Sequence, residues 1–230
     1  MKIKIILTFS FLLFQAAIQT AFAQDYCNKN GEVLTTYFAP RLGAEGQEVQ
    51  NYQNGIQTIF KKLQIGDKLE ILTAHDAGVV KSFSACFPGC PPQGIMDQFL
   101  GLGGSCKATL AKKDQIDFKR KFVSNARRTM EDARDGSLGY LNILKVLAVI
   151  NAHANSAEVD SKNTYLVSTM FNNTDINRSS VNGFFVNAVQ NQDMLDAFPK
   201  LQVLGMSLNP DLIEMWTDLY AVNSQTFDYK

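Results

Sequence analysis

Few residues in this chain could do chemistry. Its four cysteines, Cys27, Cys86, Cys90 and Cys106, allow three pairings, and an even count in an exported chain points to disulfides. Cys86 and Cys90 are spaced C-x3-C, the wrong interval for a C-x-x-C redox centre. A zinc site would need histidines beside them, and only His75 is close in sequence. His75 and His153 are the whole supply of bases that titrate near neutrality. Gly205-Met-Ser207-Leu-Asn209 lies at a strand-to-helix turn and looks like an incomplete G-x-S-x-G nucleophile elbow. That chemistry takes its histidine after the serine, whereas both histidines precede Ser207, so a tight turn and a helix cap are expected instead. Gly101 to Lys107 has the glycines of a phosphate loop without its Gly-Lys-Ser/Thr ending. Asp132 and Asp135 flank a helix junction, where solvated acids are ordinary. Asn172 and Asn177 head the glycosylation pattern N-x-S/T.

The first 23 residues set where such residues would work. Lys2 and Lys4 precede an apolar run from Ile5 to Ile18, and Ala21-Phe-Ala23 follows as a small-x-small cleavage site. This pattern predicts a signal peptide, residues 1–23, and an exported product, most simply periplasmic. The apolar run is short for a membrane span, so no membrane insertion is expected after cleavage. Of 230 residues, 207 would remain, a suitable length for one domain, 24–230. Without Lys2 and Lys4 the 22 basic residues become 20 against 22 acidic, a net charge of −2. That balance gives no footprint for nucleic acid.

Strand and helix patterns alternate along the mature chain. Val33 to Phe38 is β-rich, and Ala44 to Leu63 repeats apolar residues at helical spacing. Lys68 to Ala74 and Val79 to Cys86 flank the turn His75-Asp-Ala-Gly78 and predict an antiparallel hairpin. A Pro/Gly/Cys-rich loop extends to about Lys113. The next helix, Asp114 to Arg134, is expected to bury Ile116, Phe122, Val123, Ala126 and Met130. Ser137 is the expected N-cap of an apolar helix reaching Ala154, buried between layers, with His153 at its surface or capping its end. Thr164 to Phe171 is a strand, 181–198 holds a helix, and Leu201 to Leu208 is a strand near the sheet centre. Asn209-Pro210-Asp211 then starts a last helix carrying Trp216. The expected fold is α/β, a doubly wound and mostly parallel sheet with one antiparallel edge strand, strand order 3-2-1-4-5 and helices on both faces.

This succession resembles the von Willebrand factor A-like fold. The resemblance rests on the strand ending at Phe38, the helix stopped by Gly66-Asp67, the Lys68–Cys86 hairpin, the Asp135-Gly-Ser-Leu-Gly139 helix entry, the strand ending at Phe171 and the closing helix with Trp216. It implies a metal at the carboxyl ends of the strands, held by D-x-S-x-S after the first strand. A threonine at a middle helix entry and an aspartate after the fourth strand would complete the site. Here the first motif is replaced by Ala39-Pro-Arg-Leu-Gly43. Ser137 would stand at the threonine position and Asn172 or Asn173 at the aspartate position. Arg41 puts a fixed positive charge where the cation would sit, so neither metal nor another cofactor is expected.

Ligands of open α/β sheets bind where the strand order reverses. That point predicts a partner-binding face of Pro40, Arg41, Leu42, Ser137, Asn172, Asn173 and Asp175, with Arg41 exposed at its edge or else paired to Asp175 or Asp135. The resemblance implies a non-enzymatic module that holds another protein on this face or its rim, in an envelope or secretion assembly. The alternatives are a small-anion binder using Arg41 and an exported hydrolase using Asp135, Asp175 or a histidine. Strand directions put Cys27 and Cys86 at the opposite end of the sheet, together with the loop carrying Cys90 and Cys106. They favour the pairs Cys27–Cys86 and Cys90–Cys106.

Overall fold

Alternating side chains along Val33–Phe38 (β1) send Leu34 and Phe38 to one face of a sheet and Tyr37 and Ala39 to the other. Both sets are buried, as a strand covered on two sides requires. The computed structural model describes residues 26–27, 31–41, 46–90, 108–134, 142–157, 159, 163–171, 177–190, 199–222 and 225–230. After β1 come α1 (Gln47–Lys62), β2 (Lys68–His75), β3 (Gly78–Cys86), α2 (Ala108–Arg134) and α3 (Ile143–Ser156). Then follow β4 (Thr164–Val167), α4 (Arg178–Gln190), β5 (Gln202–Leu204), α5 (Pro210–Val222) and β6 (Asp228–Tyr229). The six strands lie in the order β3-β2-β1-β4-β5-β6, parallel except for the β2–β3 hairpin. The expected α/β sheet is therefore present, with one strand more.

The extra strand corrects two expectations. Leu201 to Leu208 contributes only three strand residues, and β5 lies one place from the edge under the two-residue β6. Gly205 ends β5. Its φ of +76° is a left-handed turn, and a Cβ there would stand 2.9 Å from the Asn51 carbonyl oxygen of α1. A two-residue strand has no periodicity to read, which is why β6 was missed.

The two faces differ in filling. Leu72, Leu166 and Val203 pack with α3, α4 and α5 around Leu147, Ile150 and the fully buried Trp216. On the other face α1 and α2 cover Leu34, Phe38, Ile71 and Val167. There Phe118 and Phe122 of α2 meet Phe60, Phe83 and Phe87 at centroid distances of 5.4–6.5 Å. This cluster sets the rotation of α2 about its axis. Phe118, Phe122, Ala126 and Thr129 point inward, while Ile116 and Val123, expected in the core, are 55% and 45% exposed. A bulge adds to the same constraint: Ser82 is the extra residue of β3, and the Asn125 amide donates to its carbonyl oxygen at 2.9 Å.

Helix α3 begins later than expected, at Ile143, because Asn142 caps it by accepting from the Lys145 amide at 3.3 Å. The Asn142 amide in turn donates to Asp76 Oδ1 in the hairpin turn at 2.8 Å. Ser137, the expected cap, lies outside the described residues. The helix is buried on one side only, since Lys145 and Ala152 are exposed. Its histidine also departs from expectation. Tyr37 Oη and His153 Nδ1 are hydrogen-bonded at 2.8 Å, which ties the last turn of α3 to β1.

The bottom of the sheet is stapled. Cys27 and Cys86 form the expected disulfide, and the adjacent Tyr26 hydroxyl donates to the Asp114 carboxylate near the start of α2. Cys90 is disulfide-bonded as well, and Cys106 lies outside the described residues. No helix among the described residues is long and apolar enough to cross a membrane.

Candidate functional site

The parallel strands end on one rim of the sheet, where α1 starts. Ala39 and Pro40 continue β1 inward: the Ala39 amide donates to the Val167 carbonyl at 3.0 Å, and both residues are buried. The next amide, Arg41, donates to the Tyr52 hydroxyl at 3.0 Å, which ties the strand end to the second turn of α1. Burial raises the Tyr52 phenol above its ordinary pKa, so it stays a neutral hydroxyl able to accept that bond.

Arg41 itself overturns the expectation of an exposed edge cation. It is 4% exposed, and its guanidinium is ion-paired to Glu48 in the first turn of α1. The cause is the proximity of the strand end to the start of α1: Tyr52 holds the Arg41 backbone and Glu48 its charge. Asp175 and Asp135, the partners expected for it, lie outside the described residues. A carboxylate in a first helical turn also faces the positive end of the helix dipole. The signal was in the sequence, an acid one residue into the helix that follows the arginine.

On the far side of β1 the rim is made by Ser168, Thr169 and Met170 after β4, all buried. Met170 adopts a left-handed φ of 59°, uncommon for a residue with a side chain. It is held from two directions. Its amide donates to Ser168 Oγ at 3.1 Å, and its carbonyl accepts from Trp216 Nε1 at 2.8 Å. Leu42, Ser137, Asn172, Asn173 and Asp175 of the expected face lie outside the described residues. Of that set the structure places only Pro40 and Arg41, and both are buried.

These residues do not fit a hard cation. Arg41 occupies the strand-end position as a permanent cation already matched by Glu48, and Ala39 and Pro40 offer no side-chain oxygen. Millimolar Mg²⁺, Mn²⁺ or Ca²⁺ is therefore expected to leave the melting temperature unchanged. An upward shift reversed by a chelator would show a site that this geometry does not contain.

Beside the rim, α1 and α2 diverge and leave a groove of about 350 Å³. Val49, Tyr52 and Ile56 of α1 form one wall; Val123, Ala126 and Met130 of α2 form the other. Gln53, Gln57, Arg127 and Glu131 supply its polar groups. Tyr52 belongs to both features, its ring lining the groove and its hydroxyl holding Arg41. Sequence reasoning missed the groove because helical spacing assigned Val123 to the core. The structure rotates it out, and an exposed valine between helices becomes part of a concave apolar surface.

Two other candidates are accounted for locally, while Gly101–Lys107 and Asp135 lie outside the described residues. His75 Nδ1 accepts from the Ala77 amide at 3.2 Å inside its own turn. Asn209 Oδ1 accepts from the Leu212 amide at 3.2 Å, so the Gly205–Asn209 stretch is a turn and cap as expected. No protein-family model and no curated protein matches the chain.

Proposed function

We propose that the protein is an exported, non-enzymatic interaction module of the von Willebrand factor A-like kind, serving an envelope or secretion assembly, most simply in a bacterial periplasm. It holds another protein in the α1–α2 groove, at the rim of the strand-end face. The observation that carries this reading is the groove itself: an apolar recess of about 350 Å³ with a half-exposed valine in one wall. Concave apolar surface with a few polar groups at its edge is the usual form of a binding site. The Cys27–Cys86 disulfide supports export, because such bonds persist in oxidising compartments.

The anion-binding alternative loses its main support, since the Arg41 charge is buried and met by Glu48. For the hydrolase alternative, Asp135 and Asp175 lie outside the described residues, and only its histidines can be placed. His75 is engaged within its turn and His153 with Tyr37, on separate elements.

Capture from the native envelope fraction tests the reading. Mature wild-type protein is expected to retain a partner, and Val123→Glu to lose at least about tenfold of it. Unfolding of that variant should stay within about 0.5 kcal/mol of wild type, as for an exposed position. Undiminished capture by folded Val123→Glu protein would remove the groove from the proposal.

A further inference from the structure

Charge is unevenly spread on this molecule. The mature chain is close to neutral, yet α2 carries a concentrated positive surface. Seven basic residues on it are exposed, Lys119, Arg120 and Arg127 among them, against one exposed acid among its described side chains, Glu131. Two further acids are engaged: part-buried Asp114 accepts from Tyr26, and Asp117, its side chain 41% exposed, is paired at the surface to Arg120 at 3.3 Å.

The cations are also placed in register with the apolar positions. Ile116, Arg120, Val123 and Arg127 succeed one another at intervals of four, three and four on the outer side of α2, with Lys119 beside Arg120 and four residues before Val123, so they form a single stripe. Val123 and Arg127 of this stripe line the groove, and Lys119 reaches across to α1, its Nζ 5.7 Å from the centre of the Phe60 ring. On the α1 side the rim is uncharged, Gln53 and Gln57, and the only acid in the first turn, Glu48, is spent on Arg41. On the α2 side the recess is thus bordered by Arg127 and, at its far end, Glu131, while Lys119 and Arg120 extend the positive stripe one turn beyond Val123.

We infer that the partner segment held in the groove is an acidic amphipathic helix. Its apolar residues enter between Ile56 and Val123, and its carboxylates, about two turns apart, face Lys119 and Arg127. This rests on the groove being the partner site, as proposed above, and adds the chemistry of what fills it. A helix fits because the recess runs between two helices and takes side chains spaced at i, i+3 and i+4. An anionic bilayer is the lesser match, because the apolar centre is concave, whereas a bilayer is entered by apolar side chains that protrude. Complementary charge of this kind speeds association and excludes wrong partners more than it adds affinity.

A photo-crosslinking residue at Gln53, inside the groove, and at Val186, exposed on α4, provides the test. Each mature protein is irradiated in the native envelope fraction, and the attached segment is sequenced by mass spectrometry. The expected product at position 53 is a peptide with more acids than bases and apolar residues at helical spacing. Lys119→Glu with Arg127→Glu should lower that product at least about tenfold without changing the unfolding midpoint. Vesicles of zwitterionic lipid with one third phosphatidylglycerol should not sediment the protein. A neutral or basic peptide at position 53, an unchanged yield in the double variant, cross-linked phospholipid or co-sedimentation with vesicles would each overturn the acidic-helix inference while leaving the groove in use. Products at Val186 alone would overturn the groove reading itself.

Discussion

Arg41→Ala is expected to destabilise the fold by about 3–5 kcal/mol, the usual cost of removing one partner from a buried ion pair. The arginine side chain is 5% exposed and Glu48 19%, so deletion strands a carboxylate that water reaches poorly. Arg41→Glu should do more harm, by placing a second carboxylate against the first. The double change Arg41→Met with Glu48→Leu should recover most of the loss, as apolar replacements of buried pairs often do. Equilibrium unfolding of wild type, Arg41→Met, Glu48→Leu and the double variant gives the double-mutant cycle. Additive losses would mean that the pair is not coupled and that Arg41 faces something else.

The second large effect is at the other end of the sheet. The Cys27–Cys86 bond closes a sequence separation of 59 residues, and loop-closure entropy alone assigns it about 4 kcal/mol. In a domain of this size that corresponds to a fall in melting temperature of roughly 8–16 °C for Cys27→Ser with Cys86→Ser. Tyr26 should be released along with the bond, since its link to Asp114 needs the N-terminal segment held against α2. Differential scanning calorimetry of oxidised wild type and the double serine variant measures the difference. Equal midpoints would mean that the N-terminal segment adds nothing to the folded state.

Much of the architecture was legible because it rests on local signals. β1 was read at its true limits, the hairpin was marked by alternation around His75-Asp-Ala-Gly78, and Asn209-Pro210 gave the start of α5. Strand directions followed from the order of elements, and with them the Cys27–Cys86 pair. What was not legible depends on how elements are turned against one another. The rotation of α2 is fixed by aromatic rings from α1, β3 and the segment after β3, and by Asn125 meeting the Ser82 bulge. None of those contacts is local to the helix, so its own apolar spacing assigned Ile116 and Val123 to the wrong side. Arg41 failed for the same kind of reason. A long cation after a strand ordinarily seeks solvent, but Tyr52 catches its backbone and Glu48 its charge.

The two misreadings together move the candidate site. Arg41 passes from ligand contact to scaffold, and the apolar surface next to it becomes the place where binding is proposed. The strand-end rim still matters in this account, because Arg41, Glu48 and Tyr52 fix the start of α1 and so the shape of one groove wall.

Hydrogen exchange of the mature protein, alone and with its captured partner bound, tests the central claim most directly. Exchange reports local opening, so a bound segment should slow it where the backbone is covered. The account predicts added protection in Val49–Gln57 of α1 and Val123–Glu131 of α2, with α4 and α5 unchanged. Protection confined to α4 and α5, or to the outer edge of β3, with the α1–α2 pair exchanging as in the free protein, would contradict it.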